Sequence, residues 1–275
     1  MGVVNVTPDS FSDGGAFEDP FAAVLHARRL VSEGARIVDV GGESTRPGAE
    51  PVSAEEELER VVGVIEGIAG LGLPAQISID TMKLAVAEAA VAAGATYVND
   101  VTAFRHDPEL AGLVADRGLD CCLMHMLGEP RTMQLEPRYT DVVSEVKAFL
   151  EARMAFAVAA GVPEERIQLD PGIGFGKKLE HNLELLRRMD ELVALGRPIV
   201  VGTSRKSFIG RITGRDVTER VHGTVATCVL ALERGARVFR VHDVAAVADA
   251  LAVTTATLAN RWPVSPTTRT TTTRT

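Results

Sequence analysis

The segment AQISIDTMKLAVAEAAVAAGATYVND, residues 75–100, has the pattern that decides the fold. Two short apolar runs within it end on polar side chains, the first on Asp80 and the second on Asn99, and a helical pattern over 84–93 separates them. An unpaired buried charge is costly, so a polar group at a strand end indicates a place where partners or ligands meet it. Parallel strands gather their carboxyl ends at one edge, where α/β enzymes place their chemistry. The segment therefore predicts a strand, a helix and a second strand with polar groups along one rim.

The same alternation continues along the chain in both directions. Short β-branched runs predict strands at 2–6, 36–41, 75–80, 96–100, 120–126, 166–170, 198–202 and 237–242. Longer helical patterns between them predict helices at 20–33, 54–69, 84–93, 108–117, 141–160, 179–195, 218–233 and 243–259. About eight β–α units in about 250 residues are typical of a closed (β/α)8 or TIM barrel, an α/β fold. An open doubly wound sheet is the alternative architecture.

Two loops and one tail complete the predicted organisation. In this prediction the first and second β-to-α loops, 7–19 and 42–53, are the longest, and their Gly, Pro, Ser and Asp content predicts mobile lids over the catalytic edge. Residues 1–262 are interpreted as one domain. The segment PVSPTTRTTTTRT, 263–275, has too little apolar surface to fold and is predicted to be a disordered tail.

The bulk composition excludes several classes of protein. The net charge of -8 and the isoelectric point near 5.4 argue against a nucleic-acid surface, which needs a clustered basic face. No apolar run approaches the roughly 20 residues that a membrane span requires. The three cysteines form no CxxC pair, and the start MGVVNV does not resemble a signal peptide, so we expect a cytoplasmic protein.

Eight strings at successive predicted strand ends resemble one known family. They are NVTPDSFSDGG (5–15), VDVGGESTRPGA (38–49), SIDT (78–81), VND (98–100), LMHM with PRTMQ (123–134), LDPGIGFGK with HN (169–182), GTSRKSFIG (202–210) and RVHDV (240–244). In this order they resemble the dihydropteroate synthases, over residues 1–262. The resemblance implies a TIM barrel that condenses a dihydropterin pyrophosphate with para-aminobenzoate and releases pyrophosphate. It also implies a homodimer, and the largely apolar helix over 224–238 is a candidate interface.

One carboxylate can recognise the edge of a pterin, because a ring N–H and an exocyclic amino group lie side by side there and both donate. Asp170 is the candidate for this bidentate contact. A lone aspartate at a strand end often caps a helix instead. The resemblance implies that Asp80, Asn99, Lys206 and Arg240 complete the pterin site.

Arg240 and His242 stand two residues apart on one predicted strand, so their side chains are expected to point the same way and to clamp an anion. The resemblance assigns this pair to the pyrophosphate, with Arg240 also against the pterin face. It assigns Asn5 to the Mg2+ that accompanies the pyrophosphate. Magnesium prefers oxygen ligands and uses substrate phosphates, so a carboxylate cage is not required.

The resemblance also implies an amine site and a set of catalytic roles. The residues implied for para-aminobenzoate are Phe11, Thr45, Arg46, Pro47, Phe175 and Ser207. The residues implied for catalysis are Asp13, Arg46 and Lys206. Because the reaction is ionisation at a carbon that bears pyrophosphate, the site must stabilise the leaving anion and exclude water, and Asp13 is expected to favour the cationic intermediate.

Two alternative functions share part of these motifs. Pterin-dependent methyltransferases have the same barrel and pterin set but need no pyrophosphate clamp or amine pocket, so STRPG, SRKS and RVHD favour the synthase. A non-catalytic pterin-binding relative is the second alternative. Loss of Asp13, Arg46 or Lys206 would indicate it, and all three are present.

Overall fold

The computed structural model of the chain describes residues 1–7, 20–45 and 48–260. Within them the strands are β1 (Gly2–Asn5), β2 (Ile37–Gly41), β3 (Gln76–Asp80), β4 (Tyr97–Asp100), β5 (Asp120–Met124), β6 (Ile167–Asp170), β7 (Val200–Val201) and β8 (Val238–Phe239). The helices are α1 (Pro20–Ser32), α2 (Ala54–Gly70), α3 (Leu84–Ala92), α4 (Leu110–Arg117), α5 (Val142–Ala159), α6 (Leu179–Arg187), α7 (Met189–Val193), α8 (Ser207–Thr213), α9 (Val221–Glu233) and α10 (Val244–Ala259). None of the helices in these residues is both long and apolar enough to cross a bilayer.

The strands form a ring of parallel neighbours. Strands β1 to β6 pair in chain order, and β7 pairs with β8. Two isolated parallel bridges join these sheets: Leu169 pairs with Ile199 between β6 and β7, and Gly2 pairs with Val241 between β8 and β1. The prediction of a (β/α)8 barrel is confirmed, and the alternative of an open sheet is wrong.

Side chains alternate between the two faces of the strands and build two separate apolar layers. The larger layer lies between strands and helices and takes Val38, Val40, Ile77 and Ile79 together with the inner faces of the helices. Inside the barrel a small cluster forms around Tyr97, which is completely buried and donates a hydrogen bond to Gln168 Oε1 at 2.9 Å. The alternation follows from the period of two along a strand. It directs Asp39 and Ser78, which stand between the outward-facing apolar residues, into the barrel.

Register places the polar strand ends at one level. Asn5 pairs with Gly41, Gly41 with Asp80, and Asp80 with Asn99. On the other side Met124 pairs with Asp170. The carboxyl rim predicted from the sequence is therefore a physical edge of the barrel.

Local signals explain most helix boundaries, and three predictions need correction. Ser53 Oγ accepts from the backbone N–H of Glu56 at 3.2 Å and begins α2, which satisfies an otherwise free donor. The helix predicted over 179–195 is broken at Arg188, whose ψ of 31° lies outside the helical range. Hydrophobic periodicity continues through the break and therefore does not reveal it. The helix α8 was not predicted.

The third correction concerns the loops. The loop over 125–141, between β5 and α5, is longer than either of the two loops that the sequence ranked first. The predicted bounds already left 14 residues here, 127–140, against 13 and 12 in the other two loops, so the ranking of the loops was wrong. The tail 263–275 and most of the loop 7–19 lie outside the described residues, so their predicted mobility and the domain boundary at 262 stay predictions.

Candidate active site

A cavity opens at the carboxyl end of the barrel, between the loops that follow β2, β3, β4 and β5. Its volume is about 640 Å³, and its lining includes Thr45, Asp80, Val101, Arg105 and Met126. Thr45 is half-buried in this wall, whereas Arg46 and Pro47 lie outside the described residues. The cavity brings predicted amine and pterin contacts, Thr45 and Asp80, to one opening.

Three strands and the segment after β8 share one buried polar network. Arg240 donates from Nε to Asp39 Oδ2 at 2.6 Å and from Nη2 to Asp80 Oδ2 at 2.7 Å. Asn99 Nδ2 donates to the same Asp39 Oδ2 at 3.1 Å, and Ser78 Oγ donates to Asp39 Oδ1 at 2.5 Å. The structure therefore connects three predicted pterin residues, Asp80, Asn99 and Arg240, through a fourth acid that was not predicted.

The charges in this network do not cancel. Two carboxylates, Asp39 and Asp80, share the single guanidinium of Arg240. Burial raises the pKa of Asp80 above its usual value, and the neighbouring guanidinium of Arg240 counteracts the rise. The excess of acceptors favours a ligand that presents N–H groups on this side.

A second charged pair lies at the ends of β6 and β7. Asp170 Oδ1 accepts from the backbone N–H of Gly172 at 2.6 Å. A Cβ built on Gly202 would lie 3.9 Å from Asp170 Oδ2 and 3.8 Å from Lys206 Nζ, so the backbone at 202 borders both charged groups. Burial raises the pKa of Asp170 and lowers the pKa of Lys206 to about 8, and each opposite charge counteracts the effect on its partner.

Lys206 also extends towards the turn after β6. Its Nζ donates to the backbone carbonyl of Ile173 and lies 4.6 Å from the centre of the Phe175 ring. Phe175 packs against a cluster of Val101, Met124, Met126 and Met133, which we call the methionine wall. Phe175 thus lies between a cation and an apolar wall. Ser207, the first residue of α8, is exposed.

A buried lysine and a buried histidine hold the turn after β6 in place, and neither was predicted to belong to the site. Lys177 Nζ lies 2.8 Å from His125 Nδ1 and donates to the carbonyl of Phe175 at 3.0 Å. Burial lowers the pKa of both groups, and for His125 the adjacent Lys177 lowers it further. A neutral His125 can accept a hydrogen bond from Lys177, so the two side chains pack together without repulsion between two positive charges.

The predicted anion clamp has different partners for its two members. Arg240 is engaged by Asp39 and Asp80, while His242 Nδ1 lies 2.9 Å from Ser204 Oγ on the loop after β7. That loop is joined to α10 by Arg205, which makes a two-pronged ion pair with Asp243. Arg240 and His242 thus contact different partners, and their shared role in anion binding stays a prediction.

Some predicted residues cannot be placed, and some unpredicted ones now stand out. Phe11, Asp13, Arg46 and Pro47 lie outside the described residues. Asp39 was missed because the sequence criterion selected charges that end an apolar run, whereas Asp39 interrupts one within VDV. An isolated charge in the middle of a buried strand would have been an equally good signal.

Comparisons with known proteins agree with this geometry. The family model described as pterin binding enzyme matches residues 1–242. The dihydropteroate synthase of Neisseria meningitidis serogroup B is 51% identical over 92% of this chain and 90% of its own length. The dihydropteroate synthase of Escherichia coli K12 is 46% identical over 94% of this chain and 91% of its own length.

Solved structures show the same relation. The Yersinia pestis dihydropteroate synthase in a sulfonamide drug complex superposes with a TM-score of 0.90, at 44% identity, over 94% of each chain. The Xanthomonas albilineans enzyme in complex with 7,8-dihydropteroate gives 0.84 at 46% identity, over 94% of this chain and 93% of that one. With a family model that covers most of its length and relatives of this similarity, the chain belongs to the pterin-binding enzymes and, among them, to the dihydropteroate synthase family.

Proposed function

We propose that the chain condenses 6-hydroxymethyl-7,8-dihydropterin pyrophosphate with para-aminobenzoate to give 7,8-dihydropteroate and pyrophosphate, a transferase step of folate biosynthesis. The observation that carries the proposal is the set of polar groups at the ends of β3, β4, β6 and β7, where Asp80, Asn99, Asp170 and Lys206 surround the mouth of the barrel. Related enzymes of Xanthomonas albilineans have been solved with 4-aminobenzoic acid and with 7,8-dihydropteroate, which supports the same pair of ligands here.

The polar groups match the two sides of a pterin ring. Asp170, with one oxygen held by Gly172, keeps its second oxygen for ring donors, and Asp80 adds another acceptor. Lys206 supplies a donor for the ring carbonyl and ring nitrogen. The apolar methionine wall fits the flat face of the ring, since its valine and methionine side chains present no charged or strongly polar group there.

The proposed reaction breaks the bond between the pterin methylene carbon and a pyrophosphate oxygen, and the electron pair leaves with the pyrophosphate. The amine nitrogen of para-aminobenzoate then forms a bond to the same carbon and loses a proton to solvent. The protein has to hold the two substrates, stabilise the leaving anion and exclude water. In this proposal Asp13 favours the cationic intermediate, and Thr45, Arg46, Pro47, Phe11, Phe175 and Ser207 form the amine pocket.

Magnesium is proposed to accompany the pyrophosphate, and the residues present fit it. Asn5, half-buried at the carboxyl end of β1, offers a neutral amide oxygen of the kind that Mg2+ accepts. Within residues 1–7, 20–45 and 48–260, no cluster of three or more His, Cys, Asp or Glu is arranged to hold a metal ion. Bound Mg2+ would neutralise pyrophosphate charge, while His242 and Arg240 are proposed to hold the pyrophosphate itself.

One assay separates this function from both alternatives. Purified protein is incubated with the dihydropterin pyrophosphate, para-aminobenzoate and Mg2+, and dihydropteroate and pyrophosphate are quantified. Stoichiometric formation of both products is expected, and chelation of Mg2+ should stop it. A protein that binds the pterin without forming product would be a non-catalytic relative. Methyl transfer from a methylated pterin to a corrinoid protein, without dihydropteroate, would identify a methyltransferase.

We also propose a homodimer in the cytoplasm. Leu230 on α9 and Val253 and Leu258 on α10 are exposed apolar side chains on two helices that pack together, and a second copy would cover them. Light scattering coupled to gel filtration measures the mass directly, and a monomer at micromolar concentration would contradict the proposal. The buried, unpaired cysteines Cys121, Cys122 and Cys228 support a reducing compartment.

A further inference from the structure

We infer that Asp39 is a positioning residue for the pterin site. It is completely buried in the middle of β2, whereas Asp80, Asn99 and Arg240 each keep some exposure at the rim. Its two carboxylate oxygens accept from Ser78, Asn99 and Arg240, which come from β3, β4 and the segment after β8. Asp39 therefore acts through residues that face the ligand. The inference rests on the proposed function, since it assigns a role within that same site.

The first argument concerns the orientation of Asn99. An ionised carboxylate can accept hydrogen bonds but cannot donate them, so the side of the Asn99 amide that meets Asp39 has to be the NH2 group. The amide oxygen of Asn99 then turns away from Asp39. Without Asp39 the amide could rotate by half a turn at little cost, and a donor and an acceptor would exchange places at the ligand edge.

The second argument concerns Arg240. Its Nε and Nη2 are directed to two different carboxylates, Asp39 below and Asp80 at the rim. A planar guanidinium held at two points has a fixed plane, which a flat ring can stack on. If Asp39 loses its charge, Arg240 keeps Asp80 alone and can turn about that contact. The plane against which the pterin is proposed to lie would no longer be fixed.

The test is Asp39→Asn, which keeps the shape and replaces one acceptor by an NH2 group. Asn99 and Arg240 both donate to Oδ2, so they meet another donor if the new NH2 group takes that place, and the negative charge opposite Arg240 is lost in either orientation of the amide. We expect the affinity for 6-hydroxymethylpterin, measured by calorimetry, to fall by at least about tenfold. The KM for para-aminobenzoate at saturating dihydropterin pyrophosphate should stay within about twofold of the wild-type value, because Asp39 does not reach that substrate.

Asp100→Asn is the matched control. Asp100 is equally buried, follows Asn99 on the same strand β4, and accepts from Thr102 and Phe104 rather than from the predicted pterin residues. Both variants should lower the melting temperature, but Asp100→Asn should leave the pterin affinity within about twofold. Equal loss of affinity in both variants would show that general destabilisation, and not positioning, is responsible, and would overturn the inference.

A double-mutant cycle gives a readout that a purely structural role would not change. If Asp39 acts by orienting Asn99, the combination of Asp39→Asn with Asn99→Ala should weaken pterin binding by clearly less than the product of the two single effects. Independent, multiplying effects would contradict the inference. Should Asp39→Asn fail to fold, Ser78→Ala removes one of the same hydrogen bonds and should weaken pterin binding by a smaller factor. An unchanged affinity in a folded Ser78→Ala would then count against the proposal.

Wild-type protein separates failure of the inference from failure of the proposed function. If the wild type binds 6-hydroxymethylpterin and forms dihydropteroate while Asp39→Asn keeps wild-type affinity, the positioning role is wrong and the function stands. If the wild type neither binds the pterin nor forms product, the proposed function fails, and the positioning role fails with it.

Discussion

The two carboxylate oxygens of Asp170 have different surroundings. One accepts from the backbone of Gly172, at the turn after β6, and the other borders Gly202 and Lys206. Asp170 was predictable from the sequence because it ends an apolar run, as Asp80 does. Asp39 would have been found by a criterion that also selects charges inside an apolar run, whereas Lys177 was not predictable, since its importance comes from His125, which is distant in the chain.

We predict that Asp170→Asn weakens pterin binding about a hundredfold, because a charge-assisted contact is worth roughly 1.5 to 3 kcal/mol and an unpaired donor adds to the loss. If the amide oxygen keeps the contact with Gly172, the new NH2 group faces Lys206 and the ring donors. Calorimetry with 6-hydroxymethylpterin measures the change. Asp190→Asn, an exposed site on α7, is the control and should bind like the wild type. Unchanged affinity in folded Asp170→Asn would remove Asp170 from the site.

A pH dependence follows from Lys206. Its pKa is lowered to about 8 by burial, so its charge and one donor are lost as the pH rises through 8 in the ligand-free protein. We expect pterin affinity to decrease between pH 7 and pH 9. Lys206→Arg keeps its charge throughout this range and should make the affinity nearly independent of pH, whatever its absolute value. An identical pH profile in wild type and variant would assign the titration to another group, either the ligand or Asp80, whose pKa is also raised by burial.

At the scale of elements, the loop between β2 and α2 is fixed at its base. Glu43 Oε1 accepts from the backbone N–H of Val52 at 3.2 Å, and Glu43 Oε2 accepts from Lys83 at 2.7 Å. Lys83 also donates to Glu57 on α2 at 2.5 Å, and Arg60 donates to the carbonyl of Gly42 at 2.7 Å. Composition alone predicted a mobile loop, because composition does not contain these contacts with α2 and with Lys83, which precedes α3.

We predict that Lys83→Met lowers the free energy of unfolding by about 3 kcal/mol at pH 7, because two largely buried carboxylates lose their shared ammonium. Burial raises the pKa of Glu57 in the folded protein, so protonation of this group as the pH falls favours the folded state and should reduce the deficit near pH 5. Urea denaturation at both pH values measures this. Arg138→Met breaks an exposed pair and should cost less than about 1 kcal/mol.

An equal loss in the free energy of unfolding in the two variants would show that the Lys83 network contributes no more than a surface ion pair.

The strands and helices themselves were largely predictable from the sequence. The repeated β–α units gave the order and approximate bounds of the strands and of most helices. The break at Arg188 and the short helix α8 depend on tertiary contacts, such as the ion pair of Arg188 with Asp141. Hydrophobic periodicity reports only local spacing and does not predict such contacts.

At the scale of the whole molecule, the barrel has two weak joints. Six strands are continuously paired, whereas β7 and β8 have two residues each and are joined to β6 and β1 by one bridge on either side. The number of units predicted a closed barrel, but the strength of each joint depends on strand length and register, which single-sequence patterns define poorly.

Hydrogen exchange should reveal these joints. Amides within 198–202 and 237–241 are expected to exchange faster than amides within 76–80 and 97–100, because fewer ladder hydrogen bonds must open to expose them. Mass spectrometry of peptides that cover these four segments measures the difference in the ligand-free protein. Equal protection in all four segments would mean that the barrel opens as one unit.

The methionine wall makes the site more tolerant of changes at the face of a bound ring than at its hydrogen-bonding edge. In the proposed complex the edge of the pterin ring meets charged and amide groups in fixed positions, so exchange of a donor for an acceptor on that edge should weaken binding. In the proposed complex the face of the pterin ring lies against Met124, Met126 and Met133, whose unbranched thioethers change shape easily. Compounds that keep the hydrogen-bonding edge can therefore vary in the thickness of the ring system. Oxidation of these sulfurs to sulfoxides would make the wall polar and less adaptable, while the hydrogen-bonding groups at the edge stay unchanged.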